Sequence, residues 1–126
     1  NPANAFVAGF IGSPRMNFVA GKGLPANRIA VGGIEFDAPI DVTSGAEISV
    51  GIRPEHLDGE TGVALPLKVE LVEQLGSTTY VHGVLETGET VVAEQRAGGC
   101  SLGDTIEVRF DPKKVRLFNA AGMRLR

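Results

Sequence analysis

The sequence predicts a mainly β domain, a small barrel or sandwich with one short helix ahead of it. Three observations predict this. The 126 residues include 17 glycines and 7 prolines, spread so that turn-forming residues recur at short intervals. Between them lie short apolar runs, several with a period of two. Only the first dozen residues carry a helical stripe instead.

Taken in order, that stripe comes first. Phe6, Val7, Phe10 and Ile11 share one helical face. Pro2 suits the first turn of the helix, and Gly12 and Pro14 suit its end. A helix this short is marginal alone, so its apolar face needs a cover. Residues 1–16 are read as this helix and residues 17–126 as the β domain. Asn17 to Gly21 is an apolar run before a Gly21-Lys22-Gly23 turn. Arg28 to Phe36 is apolar around Gly32 and Gly33, which mark a bulge or a turn. Glu47 to Ile52 is a strand stopped by Pro54. Leu67 to Val72 alternates, with Leu67, Val69 and Leu71 facing inward. Thr78 to Glu86 and Thr90 to Gln95 flank Thr87-Gly88-Glu89, a hairpin connection. Thr105 to Phe110 places Ile106, Val108 and Phe110 on one face. Val115 to Phe118 and Met123 to Leu125 flank a second hairpin turn. The predicted core includes Val50, Ile52, Leu67, Val69, Leu71, Val108 and Phe110.

Charge narrows the functional classes. Lys plus Arg number 12 and Asp plus Glu 15, a net charge of −3. The cations look scattered, and the densest group, Lys113, Lys114 and Arg116, has Asp111 beside it. That argues against a nucleic-acid partner, which needs clustered cations with interleaved aromatics. The single cysteine, Cys100, excludes an internal disulfide and a thiolate zinc site. The cytosol is the natural compartment. No apolar run approaches the roughly 18 residues of a membrane span, and no secretory leader pattern is visible.

Catalytic motifs fail one by one. The only Gly-Lys pair is Gly21-Lys22, but Met16 and Gly23 stand where a phosphate loop needs glycine and a hydroxyl residue. No catalytic, cofactor or metal residue is assigned. Cys100 lies in a turn-like Gly98-Gly99-Cys100-Ser101 stretch and is read as a small turn residue rather than a nucleophile. His82 has no nearby His or Cys and reads as a solvent-facing strand residue. Arg53-Pro54-Glu55-His56 reads as an ordered loop, its Arg53 and Glu55 bonding to each other or to backbone.

Two segments together carry a resemblance. Phe6 to Phe18, read FVAGFIGSPRMNF, resembles the junction in ATPases of carbohydrate-uptake ABC transporters, the maltose and glycerol-3-phosphate importers. Gly51-Ile52-Arg53-Pro54-Glu55-His56-Leu57 resembles a second signature of that family. Val72 to Gly76 and Leu117-Phe118 with Gly122 and Arg124-Leu125 fit the same pattern in the same order.

The resemblance covers the C-terminal regulatory domain of those subunits, the transport-associated OB type. It implies an OB-like β-barrel, with residues 1–16 as a junction from the end of an ATPase domain. ATP and Mg²⁺ would belong to that N-terminal domain, and these 126 residues would neither bind nor hydrolyse ATP. The implied partners are a second copy, permease subunits reached through the ATPase domain, and in some members a cytosolic regulatory protein. The implied location is the inner face of the cell membrane. Domain or subunit contacts would fall on Phe6, Phe10, Ile11, Pro14, Met16, Asn17, Arg53, Glu55 and His56. A second reading is an oxyanion-binding module, with Gly76-Ser77-Thr78-Thr79 as donors.

Overall fold

Nine strands form among the described residues of the computed structural model, which are 15–57, 60–95 and 101–126. They are β1 (Asn17–Leu24), β2 (Arg28–Val31), β3 (Ile34–Asp37), β4 (Glu47–Ile52), β5 (Val63–Leu75), β6 (Thr78–Val84), β7 (Thr90–Gln95), β8 (Thr105–Phe110) and β9 (Arg116–Asn119). The predicted helix of residues 1–16 lies almost wholly outside the described residues, as does Cys100.

The strands divide between two antiparallel sheets. One runs β3-β2-β1-β4-β9 and the other β7-β6-β5-β8. Alternation explains the division of faces. In β1, Asn17 and Val19 are buried while Phe18 and Ala20 are exposed. In β6, Thr79, Val81 and Gly83 point inward. The inner faces share one core, built on Val19, Ile29, Val50 and Leu117 from the first sheet and Leu65, Leu67, Val81 and Val108 from the second. Phe36 and Phe110 meet across the sheets edge to face, with centroids 5.3 Å apart.

Several boundaries differ from the sequence reading. Gly21-Lys22-Gly23 is not a turn but part of β1, because Gly21 pairs with Val31 and with Ile48 on either side. The chain turns later, at Pro25-Ala26-Asn27, where Ala26 and Asn27 take left-handed backbone angles. Of the two readings of Gly32 and Gly33, the turn holds: they make a tight turn between two strands, and both have positive φ. Met123 to Leu125 is not a strand. It is held beside β9 by one bridge, Phe118 with Arg124, and by the Leu125 N–H donating to the Leu117 carbonyl at 2.7 Å.

The largest correction is in β5. Leu67 and Val69 are buried as expected, but Leu71 is 49% exposed. The β5–β6 register shifts between Val69 and Leu71, so a bulge at Glu70 turns the strand over. Ile106 is only partly buried, while Val108 and Phe110 are in the core. Beyond the bulge, β8 no longer accompanies β5, since their pairing runs from Val63 to Lys68. Residues 71–75 of β5 pair with β6 alone, and residues 70–75 are exposed throughout. β7 stays beside β6 along this stretch, so the outer half of β5 is the exposed edge of a three-stranded arm.

Gly83 sits opposite Val69 beside this bulge. A Cβ there would lie 2.5 Å from the Lys68 carbonyl oxygen and 2.6 Å from Leu67 Cγ. Gly83→Ala is therefore expected to cost about 2 kcal/mol through overpacking, read as a lower urea midpoint. An unchanged midpoint would mean that the two strands separate easily here.

Candidate functional site

The residues named from the sequence fall into two groups. Phe6, Phe10, Ile11 and Pro14 lie outside the described residues. Met16, Asn17, Arg53, Glu55 and His56 can be placed, and each has a distinct setting.

Asn17 is 8% exposed and joins the two sheets. Its Nδ2 donates to the Ile52 carbonyl at 3.0 Å and to the Val92 carbonyl at 2.8 Å. The Val92 N–H donates to Asn17 Oδ1 at 2.8 Å. β7 is an edge strand, and this side chain supplies the partner that a neighbouring strand would give it. A second tie lies nearby. The Ala20 N–H donates to Glu89 Oε2 at 2.8 Å, and Thr87 Oγ1 donates to Glu89 Oε1 at 2.7 Å.

The Arg53–His56 segment is ordered by its apolar members. Pro54–Leu57 forms one turn of 3-10 helix, with Pro54 and Leu57 buried and the Leu57 carbonyl accepting from Gln95 Nε2. The His56 N–H donates to the Arg53 carbonyl at 2.9 Å. The expected Arg53–Glu55 pair is not formed, because both side chains point to solvent. Glu55 acts on Tyr80 through its charge alone. Burial first, then Glu94 and Glu55, pushes the Tyr80 phenol above its ordinary pKa. His82 is half-exposed as expected, and its Nε2 lies 2.9 Å from Glu73 Oε1.

Outward of Asn17 lies an apolar surface that the sequence reading named only through Met16. Phe18 is 59% exposed and meets Phe118 edge to face, with centroids 5.7 Å apart. Phe18 pairs with Gly51 in the sheet, and Met16 lies over that glycine. A Cβ at Gly51 would come within 2.6 Å of Met16 Sδ and 3.3 Å of both rings. Glycine thus lets a thioether and two rings gather on one side of the sheet. The sequence signal was present: Phe18 and Phe118 sit at outward positions of strands whose alternate residues are core.

The Gly76-Ser77-Thr78-Thr79 donors do not gather. Gly76 and Ser77 are exposed at the tip of the β5–β6 arm, while Thr79 is buried in the strand. A cavity among the described residues lies elsewhere, beside β9, and is lined by Lys113, Arg116, Arg124 and Arg126 with apolar neighbours.

The described residues form an all-antiparallel β fold with an exposed apolar surface around Phe18. Comparison with known families identifies the domain. Residues 50–118 match the TOBE domain, and residues 12–57 match the MalK OB fold domain. The chain belongs to the TOBE domain family, in the form attached to the ATP-binding subunits of ABC sugar importers. It is 37% identical to the lactose transport ATP-binding protein LacK of Rhizobium radiobacter, over all of this chain and 39% of that protein. It is 38% identical to the maltose/maltodextrin import ATP-binding protein MalK of Vibrio cholerae, over 96% of this chain and 36% of that protein. It is 36% identical to the sn-glycerol-3-phosphate import ATP-binding protein UgpC of Ruegeria pomeroyi, over 88% of this chain and 31% of that protein. The chain thus spans about a third of the length of the curated relatives it matches, in their C-terminal part.

Proposed function

We propose that this chain serves as the regulatory and dimerisation domain of an ATP-binding subunit in an importer for sugars or glycerol 3-phosphate. The observation that carries the reading is the pair of consecutive family matches, which together run from residue 12 to residue 118. In this reading residues 1–16 are a junction to an ATPase domain. ATP and Mg²⁺ belong to that domain, and the 126 residues take up neither. Permease subunits are reached through the ATPase domain, on the cytoplasmic side of the membrane. No helix of the described residues is long and apolar enough to cross a membrane.

The geometry supports a role in contact rather than chemistry. Two rigid sheets with a common core hold Phe18 and Phe118 outward at fixed spacing. Two ATPase domains that close on nucleotide must later separate. A lasting contact between their regulatory domains keeps the local concentration of the pair high. Such a surface also lets a cytosolic regulatory protein favour the open or the closed arrangement.

The test is sedimentation of the chain across micromolar concentrations. The expected result is a reversible two-fold dimer burying on the order of 1,600 Å². A monomer at every concentration would overturn dimerisation by these residues alone. Titration with Mg-ATP is expected to give no saturable signal, and micromolar binding would overturn the division of labour.

A further inference from the structure

Four of the chain's twelve cationic residues line one open cavity of about 250 Å³, although the chain as a whole is acidic. We propose that this cavity binds a small phosphate monoester, its phosphate held by Lys113, Arg116, Arg124 and Arg126. No Asp or Glu residue lines the cavity, and the α-carboxylate that Arg126 carries in the 126-residue chain offsets at most one of the four cations. The ion pairs among the described residues involve Arg28, His82 and Arg109, so none of the four cations is neutralised in that way. Asp111 is the nearest carboxylate in sequence, and its Oδ1 accepts from the Lys113 N–H at 2.9 Å as the cap of the 3-10 turn Pro112–Lys114. Four like charges around one space repel one another, and a dianion removes that repulsion.

The backbone of the walls, and the Arg116 guanidinium, are held before any ligand arrives. Arg116 Nη1 donates to the Lys114 carbonyl at 3.2 Å, which braces the guanidinium and leaves its other donors available. Arg124 and Arg126 flank Leu125, whose N–H is bound to Leu117 on β9. The opposite wall, at Pro39 and Ile40, is pinned by Asn27. Its Nδ2 donates to the Ile40 carbonyl at 3.0 Å, and the Val42 N–H donates to its Oδ1 at 2.8 Å. Fixed walls reduce the ordering cost of binding.

The lining also selects the ligand class. Guanidinium forks match phosphate oxygens in pairs. Ile40, Val115, Leu117 and Leu125 add an apolar side, which suits the carbon portion of an ester. The cavity has room for a few carbons and one phosphate but is small for a nucleotide. A membrane phosphate could offer the same headgroup chemistry. A recess between a pinned loop and the C-terminal segment favours a soluble ester over a flat lipid surface.

The experiment is calorimetry on the 126-residue chain with glycerol 3-phosphate, inorganic phosphate and glycerol, at low and at raised salt. Flotation with phosphatidylglycerol vesicles forms a parallel arm. Glycerol 3-phosphate is expected to bind saturably and more tightly than inorganic phosphate, with glycerol silent. Added salt should weaken binding. The double variant Arg116→Gln/Arg124→Gln should lose roughly tenfold or more in affinity while keeping its melting temperature. Lys113→Gln is the second variant, since it disturbs neither β9 nor the C-terminal bridge, and it should also weaken binding. Absence of saturable heat at millimolar ester, equal affinity in all variants, or binding to vesicles alone would each overturn the proposal.

Discussion

Replacing Asn17 by leucine is expected to lower stability by about 3 kcal/mol and the melting temperature by roughly 10 °C. Leucine fills a similar volume, so the loss does not come from a cavity. It comes from three backbone groups on two sheets, the Val92 N–H and the carbonyls of Val92 and Ile52, which lose their partner together. Each buried polar group left unpaired costs about 1–3 kcal/mol, and partial access of water moderates the sum. Asn17→Asp separates the contributions. The aspartate still accepts from the Val92 N–H, but at neutral pH it sets a charge beside two carbonyl oxygens. Its defect should shrink as pH falls, because a protonated carboxyl again donates to one of them. Urea denaturation at several pH values measures both effects. A leucine variant as stable as the parent would mean that β1 and β7 are held by apolar packing alone.

The second large effect separates two neighbours in β5. Val69→Asp is expected to abolish folding or to cost more than about 4 kcal/mol, since Val69 is 1% exposed and no cation lies within the core to pair with the new charge. Leu71→Asp should cost less than about 1 kcal/mol, because its side chain is 49% exposed on the arm. In an unbroken strand these residues would share a face and behave alike. The contrast measures the bulge directly by circular dichroism and chemical denaturation. Equal damage at both positions would mean that the register continues through Glu70.

These two cases show what a period of two can and cannot reveal. Leu67 and Val69 were legible as core because Lys68 and Glu70 alternate with them. The bulge was not, because it carries no glycine or proline as a marker and arises from where β8 stops supporting β5. Gly32-Gly33 announced a change of direction but not its kind. Choosing between bulge and turn required the pairing of Arg28 with Asp37 and of Ile29 with Phe36. Asn17 was legible as a boundary residue only through family resemblance. Its physical role depends on Val92, which is 75 positions away. The cations misled for the same reason. They are scattered along the chain, yet Arg124 and Arg126 return beside Lys113 and Arg116 once β9 and the C-terminal segment lie together.

The free edge of the arm formed by β5, β6 and β7 has a colloidal consequence. From residue 70 to 75, one edge of β5 carries backbone groups that no neighbouring strand covers, next to exposed Leu71, Val72 and Leu75. Such an edge is a template for further strands from other molecules. Glu70 and Glu73 lie along it, and two arms approaching edge to edge bring these carboxylates together. The pair of glutamates therefore acts as a guard against fibre growth. Their replacement by neutral side chains removes the guard without touching the core, so the shelf life of concentrated solutions depends on two residues that contribute little to the fold.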